Sequence, residues 1–401
     1  MYRKKALTAC AAMGAAALLT LSACGSSNDT ATASGNDPGT DSAAAPSGSP
    51  SSVTAKILVT GDFTSTIPFT LPEIVPMVKG VLKSFPGVKI ETCDAKGTAP
   101  GFLACEQQAV VDKVSGFVAG FTGGGQDMSI LTKAKIPIIG AGDAHSPNSY
   151  PTSESFSQYV ALGAGLYHAG CTKLGIIYLD GSDFLVNYIK EGFEGLGGKE
   201  VARAAVAANA ADLSPAVSKV IGAGAQCVAV SLTPTGAAQA LTALKQSAAK
   251  VTIGGISAVF SQQVLDALGP LTDGLLVTDS QLNADDPAAG VQQAKATMQA
   301  VDPKAPLTEQ ALSAFADAKI LAAAFSASSG DVDAAGLTKA LNSLSNVDVD
   351  GVIPPWSSTT PLDSKTFSRI FNHYGITYKV ENGKPVSQGT FYDISSLLTG
   401  K

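Results

Sequence analysis

The stretch from Val114 to Asp143, VSGFVAGFTGGGQDMSILTKAKIPIIGAGD, constrains the fold more than any other part of the chain. Residues 117–121 form a short apolar run that stops at three glycines. Residues 126–134 then carry the spacing of an amphipathic helix, and residues 136–139 resume strand character. Strand, glycine turn, helix and strand make a βαβ unit, the crossover that parallel strands require. Ligands of open α/β sheets lie in the crevice outside the carboxyl ends of the strands. Both strands here end in glycine, at Gly123 to Gly125 and at Gly140 and Gly142. Two turns with little side-chain cover border one crevice, and the binding site is expected there.

The rest of the chain repeats this alternation, which favours parallel sheets with helices on both faces. Strands are expected at 55–59, 88–91, 174–179, 200–206, 227–231 and 251–253, with helices at 71–85, 102–113, 157–169, 183–196, 213–223 and 237–248. Beyond Asp273 the order changes to a connecting strand at 275–278 and helices at 287–300, 308–327 and 334–344. A terminal hairpin is expected to pair 376–379 with 389–392 around Asn382-Gly383. The expected class is α/β with two doubly wound parallel-sheet lobes, because roughly 350 residues exceed what one core of ~250 to 300 supports. No short repeat is visible, which argues against a solenoid or propeller.

The amino-terminal segment reads differently. Arg3, Lys4 and Lys5 precede an apolar run from Ala6 to Leu21, the pattern of a secretory signal over residues 1–23. The ending Leu21-Ser22-Ala23-Cys24-Gly25 resembles the bacterial lipobox, whose cysteine thiol takes a diacylglycerol before cleavage on its amino side. Cys24 is therefore the expected lipidation site. Residues 25–52 contain no aromatic or large aliphatic side chain, so they cannot bury enough apolar surface to order themselves. Such a tether reaches roughly 30 Å. Loss of the three basic residues takes the formal net charge from −6 to −9, which argues against nucleic acid or an anionic bilayer as a partner. The expected location is extracytoplasmic, lipid-anchored to the cell membrane.

Besides Cys10 in the signal and Cys24, four cysteines remain, and four allow three pairings. The expected bridges are Cys93 with Cys105, joining a strand end to the following helix, and Cys171 with Cys227. The latter two both stand just before apolar runs, at the same end of neighbouring parallel strands. In the chain-entropy estimate they stabilise by roughly 3 and 4 kcal/mol. A metal site lacks CxxC spacing and nearby histidines, and no metal or other cofactor is expected.

The arrangement resembles the type I solute-binding proteins of ABC importers, specifically the leucine/isoleucine/valine-binding group. The likeness is carried by the lipobox and tether, Thr92-Cys93-Asp94 with Cys105, the 120–125 turn, Ile136-Pro137-Ile138-Ile139-Gly140 and Lys173-Leu174-Gly175-Ile176-Ile177-Tyr178. It implies two α/β lobes joined by hinge strands and closing over a small molecule. One lobe is expected from 53–153 plus 280–355, the other with the hinge from 154–279 plus 356–401. The implied partners are a small-molecule ligand and a membrane ABC permease, with the receptor itself a monomer.

In the amino-acid-binding members, hydroxyls and backbone N–H groups on the first lobe's turns hold the ligand carboxylate. Here those turns carry Gly124, Gly125 and Gln126, then Ala141, Gly142 and Asp143, with no hydroxyl. Asp143 stands where a threonine would hold the anion, and two like charges ~4 Å apart repel by about 4 kcal/mol at an effective dielectric of 20. The acid that receives the ligand ammonium falls in Gly254-Gly255-Ile256-Ser257, at Ile256. Pro234 and Thr235 replace an aromatic, while Phe184 keeps one. A branched-chain amino acid is therefore not expected. A neutral or cationic solute fits better, with a ring or chain against Phe184, polar contacts from Gln126, Asp143 and Thr233, and Phe63 lining the cleft.

Plainer readings stand beside these. Gly123 to Gly125 serve equally as turn glycines, Asp143 as a helix N-cap, and Phe63 and Phe184 as packing residues. Trp356, the only tryptophan, is expected near a hinge. His145, His168 and His373 are scattered, and no GxSxG elbow, HExxH, Walker loop or dinucleotide fingerprint is present. Asp180 and Asp183 have the spacing of helix-start acids. An enzyme is not expected. A sensory receptor of the same fold and a surface hydrolase are the alternatives.

Overall fold

A computed structural model describes residues 52–65, 70–120, 122, 127–140, 146–153, 155–362 and 368–398. The signal, Cys24 and all of the tether but Ser52 lie outside them. The first sheet contains β1 (Val53–Gly61), β2 (Val88–Asp94), β3 (Gly116–Ala119), β4 (Ile138–Gly140) and β5 (Ser149–Tyr150). They run parallel in the order β2-β1-β3-β4-β5. The crossovers include α1 (Ile74–Val81), α2 (Ala99–Val111) and α3 (Ser129–Ala134). Side-chain alternation along the strands decides what covers each face. Ile57, Val59, Val118 and Ile139 share a core with α1, whereas Leu58, Phe117 and Ile138 meet Phe102 of α2 and Leu131 of α3. Burial of each large aliphatic side chain contributes about 1.5 to 3 kcal/mol.

The second lobe repeats the plan with α4 (Ser155–His168), β6 (Lys173–Leu179), α5 (Asp183–Glu194), β7 (Lys199–Val206) and α6 (Ser214–Gly222). It continues with β8 (Cys227–Ser231), α7 (Pro234–Gln246), β9 (Thr252–Ile256), α8 (Gln262–Leu268) and β10 (Leu276–Asp279). Its parallel strands lie in the order β7-β6-β8-β9-β10. In both sheets the second strand sits outside the first, so the order reverses between β1 and β3 and between β6 and β8. Those reversals place the ligand-accepting crevices at the carboxyl ends of these strands. Helices α4 and α5 cross closely through Gly163 and Gly192: a Cβ on either would come within 2.0 Å of a carbonyl oxygen on the other helix.

The chain then returns to the first lobe with α9 (Ala289–Gln299), α10 (Glu309–Ser326), β11 (Gly330–Asp331) and α11 (Ala334–Leu341). Phe315, Leu321 and Phe325 of α10 and Leu337 of α11 complete the core around Ile57, and β11 pairs with Val53 and Thr54. Trp356 packs in this same core, edge-on to Phe371, and its Nε1 donates to the Pro151 carbonyl at 3.2 Å. Finally β12 (Tyr374–Glu381), β13 (Lys384–Ser387) and β14 (Tyr392–Asp393) extend the second sheet, β12 pairing antiparallel with β10. The chain thus passes between lobes three times: after β5, after β10, and between α11 and β12.

The terminal hairpin corrects one expectation. Asn382 and Gly383 both have positive φ, 53° and 77°, and make a two-residue loop. The return strand therefore starts at once, at Lys384, and not at 389. Strands β5 and β11, each two residues long, and helix α8 were not anticipated. Both disulfides are present as paired in the sequence, with Cα atoms 5.5 Å apart for Cys93–Cys105 and 6.0 Å for Cys171–Cys227. Among the described residues no helix is long and apolar enough to cross a membrane.

Candidate functional site

On the first lobe, two carboxylates tie together the loops that leave the sheet. Asp62 follows β1, is fully buried, and accepts from the Gly97 N–H at 2.7 Å and the Thr122 hydroxyl at 2.8 Å. Asp94 ends β2 and accepts from the N–H groups of Phe63 (3.0 Å), Thr64 (3.1 Å) and Lys96 (2.9 Å), and from the Thr64 hydroxyl. Partial burial pushes Asp94 up, but these hydrogen bonds outweigh it and hold the carboxyl below its ordinary value. Phe63 is thereby fixed at the mouth of the crevice, half-buried against the first core. Gly120 follows β3 because nothing larger fits: a Cβ would lie 2.7 Å from the Thr60 carbonyl oxygen. Gly124, Gly125, Gln126, Gly142 and Asp143 lie outside the described residues.

On the second lobe, β6 turns into α5 through Gly181, whose φ is +85°. Asp183 in the first helical turn accepts from the Tyr178 hydroxyl at 2.7 Å, and Phe184 beside it is 59% exposed. The ring is thus not engaged in a core. Thr233 ends the loop after β8 and caps α7, accepting from the Gly236 N–H at 3.2 Å, with Pro234 at the first helical position. Thr235 is exposed one residue further. Between them Leu179, Val206, Leu232 and Thr233 line a cavity of only about 10 Å³, enough for one water. Ile256 is buried in the second core, and the adjacent Ser257 hydroxyl is occupied by Asp279. The chain itself supplies no acid at Ile256, and the carboxylate nearest the end of β9 is the buried Asp279 at the end of β10.

A third group, unmarked by any motif, joins the chain passages. Asp279 Oδ1 accepts from the Ser280 N–H at 2.7 Å and from Gln158 Nε2 at 3.1 Å, and Oδ2 meets the Ser257 hydroxyl. The hydroxyls of Ser153 and Ser280 lie 2.8 Å apart. Asn372 Nδ2 donates to the carbonyls of Thr152 and Ser280, each at 2.9 Å, so one side chain clamps all three passages. The Thr152 hydroxyl in turn donates to Asp317 of α10 at 2.5 Å. Burial pushes both Asp279 and Asp317 up to about 7. Among the described residues no cluster of His, Cys, Asp and Glu is disposed to hold a metal.

Two α/β sheets, each with a reversal of strand order, joined by three chain passages, define a bilobal fold. Residues 78–371 match the periplasmic binding protein family, and the chain belongs to it. The type I members share its fold, bind small molecules and work with ABC transporters; they are extracytoplasmic binding proteins, not enzymes. Similar solved structures include the fatty acid ABC transporter substrate-binding protein from Thermomonospora curvata, 16% identical over 86% of this chain and 93% of that one, with a TM-score of 0.68. A solute-binding protein of an ABC transporter from Rhodopseudomonas palustris, in complex with p-hydroxybenzoic acid, is 19% identical over 85% and 97%, TM-score 0.68. A leucine-binding protein from Thermotoga maritima is 15% identical over 85% and 99%, TM-score 0.64. No curated protein sequence matches significantly.

Proposed function

We propose that this protein is a lipid-anchored receptor outside the cytoplasm, held by an acylated Cys24, that closes two lobes on a small molecule and delivers it to an ABC importer. The observation that carries this reading is the pair of strand-end crevices, at β1/β3 and β6/β8, on a hinge of three passages. The lobes are proposed to comprise 53–153 plus 280–355, and 154–279 plus the carboxyl-terminal segment. Contacts from both lobes would favour the closed state, a population shift toward the form with more ligand contacts.

Phe63, Gly124, Gly125, Gln126, Gly142 and Asp143 are the proposed ligand-binding residues of the first lobe, and Phe184, Thr233, Thr235, Ile256 and Ser257 those of the second. The proposed ligand is a neutral or cationic solute and not a branched-chain amino acid. Two features support this: Ile256 lies in the core where an acid would meet an ammonium, and the exposed Phe184 offers a ring to an apolar or cationic group.

Thermal unfolding against a panel tests the reading. The panel holds branched-chain amino acids, p-hydroxybenzoate, a fatty acid, amines, polyols and nucleosides. A ligand at ~100 times its dissociation constant adds about 2.7 kcal/mol to stability and raises Tm. The expected shift comes from an amine or neutral solute. A shift with leucine, isoleucine or valine overturns the ligand class.

A further inference from the structure

We propose that the hinge is a proton-operated lock, in which neutral Asp279 and Asp317 hold the three passages together and loss of their protons loosens them. The inference goes beyond solute binding and holds whatever ligand the cleft takes.

Burial without a counter-charge favours the neutral form of Asp279, and outweighs hydrogen bonds from donors that would favour the charged form. The Ser280 N–H and Gln158 Nε2 converge on Oδ1, and the Gln281 N–H adds to the donors around this carboxyl. Oδ2 meets a hydroxyl, that of Ser257, which accepts as readily as it donates. The groups facing Asp279 bring no cation: Ser257 after β9, Gln158 of α4 and Tyr378 of β12 are neutral. Glu309 of α10 disfavours a second negative charge. Asp317 faces the Thr152 hydroxyl, and its Oδ2 abuts Gly140 so closely that a Cβ there would fall 2.5 Å away. Lys319, two residues along the helix, pairs instead with Asp350 at 3.1 Å. Among the described residues no Lys, Arg or His forms an ion pair with either acid.

Both acids connect directly to the clamp. Thr152, which binds Asp317, offers its carbonyl to Asn372; Ser280, which binds Asp279, offers the other. A charge on either acid is buried without a counter-ion in the clamped state and hydrated when the passages separate. Opening therefore gains on clamping as the acids ionise. Their displacement to about 7 puts this change across neutral pH.

Amide hydrogen exchange on the full-length chain between about pH 5 and about pH 8 tests the lock. After correction for base-catalysed intrinsic exchange, the Ser280 and Leu282 amides of the wild type should open about tenfold to a hundredfold more at the upper pH. Asp279→Asn and Asp317→Asn, which mimic the neutral acids, should stay near the low-pH level. A wild-type chain without this pH dependence, or variants that retain it, overturns the proposal. If a variant fails to fold, the wild type still decides: should its Ser280 and Leu282 amides open equally at the two pH values, the lock is overturned.

Discussion

Glu106 and Asp94 show how differently one chain treats its carboxylates. Asp94 accepts four hydrogen bonds from a loop and is held below its ordinary pKa. Glu106 of α2 is fully buried, its Oε2 has no partner, and the Leu131 N–H donates to Oε1 from as far as 3.5 Å. Burial pushes it up to about 7 from 4.5. A carboxyl with a raised folded pKa contributes stability that is complete below its unfolded pKa and is lost as pH rises toward the folded value. Glu106→Gln should accordingly leave stability near pH 4 unchanged and raise it by ~1 to 3 kcal/mol near pH 8. Urea unfolding at the two pH values measures this. Such individual environments were not legible in the sequence. Thr233 could be placed at a strand end, but its engagement as a helix cap could not. The bonds of Thr152 to Asp317 and of Asn372 to Thr152 link residues 165 and 220 positions apart, and no local pattern records them.

At the scale of elements the sequence was more informative, because hydrophobic period and glycine punctuation act locally. The core strands and most helices lie where those signals put them. Apart from the short helix α8, the missed elements have causes that are not local: two-residue β5 and β11 exist only by pairing with β4 and β1. The return strand β13 contains Pro385, which hides it from strand propensity. The α4–α5 crossing is likewise a contact that spacing alone does not reveal. Gly192→Ala would drive a methyl into the Val160 carbonyl and force the helices apart. It should destabilise the chain by ~1 to 3 kcal/mol, read as a lower urea midpoint, while Gly222→Ala, where a Cβ meets nothing, should not.

At the scale of the molecule, the two-lobe class followed from length and alternation, whereas the hinge chemistry emerged only from the three-dimensional structure. The same triple passage also sets an order of assembly. Strands β1 to β5 come early in the chain, yet α10, α11 and Trp356, which cover Ile57, Val59, Val118 and Ile139, come only after the whole second lobe. A fragment of residues 53–153 should therefore remain unfolded by circular dichroism, since one face of its sheet keeps only α1 of its cover. Residues 155–279 make their parallel sheet without waiting for distant sequence, and the late strands β12 to β14 only extend it. Contacts between distant segments form slowly, and an incomplete sheet with bare apolar faces is prone to aggregate. In a chain that emerges amino end first, the lobe made first is thus the lobe completed last, and its early strands need protection until the far end arrives.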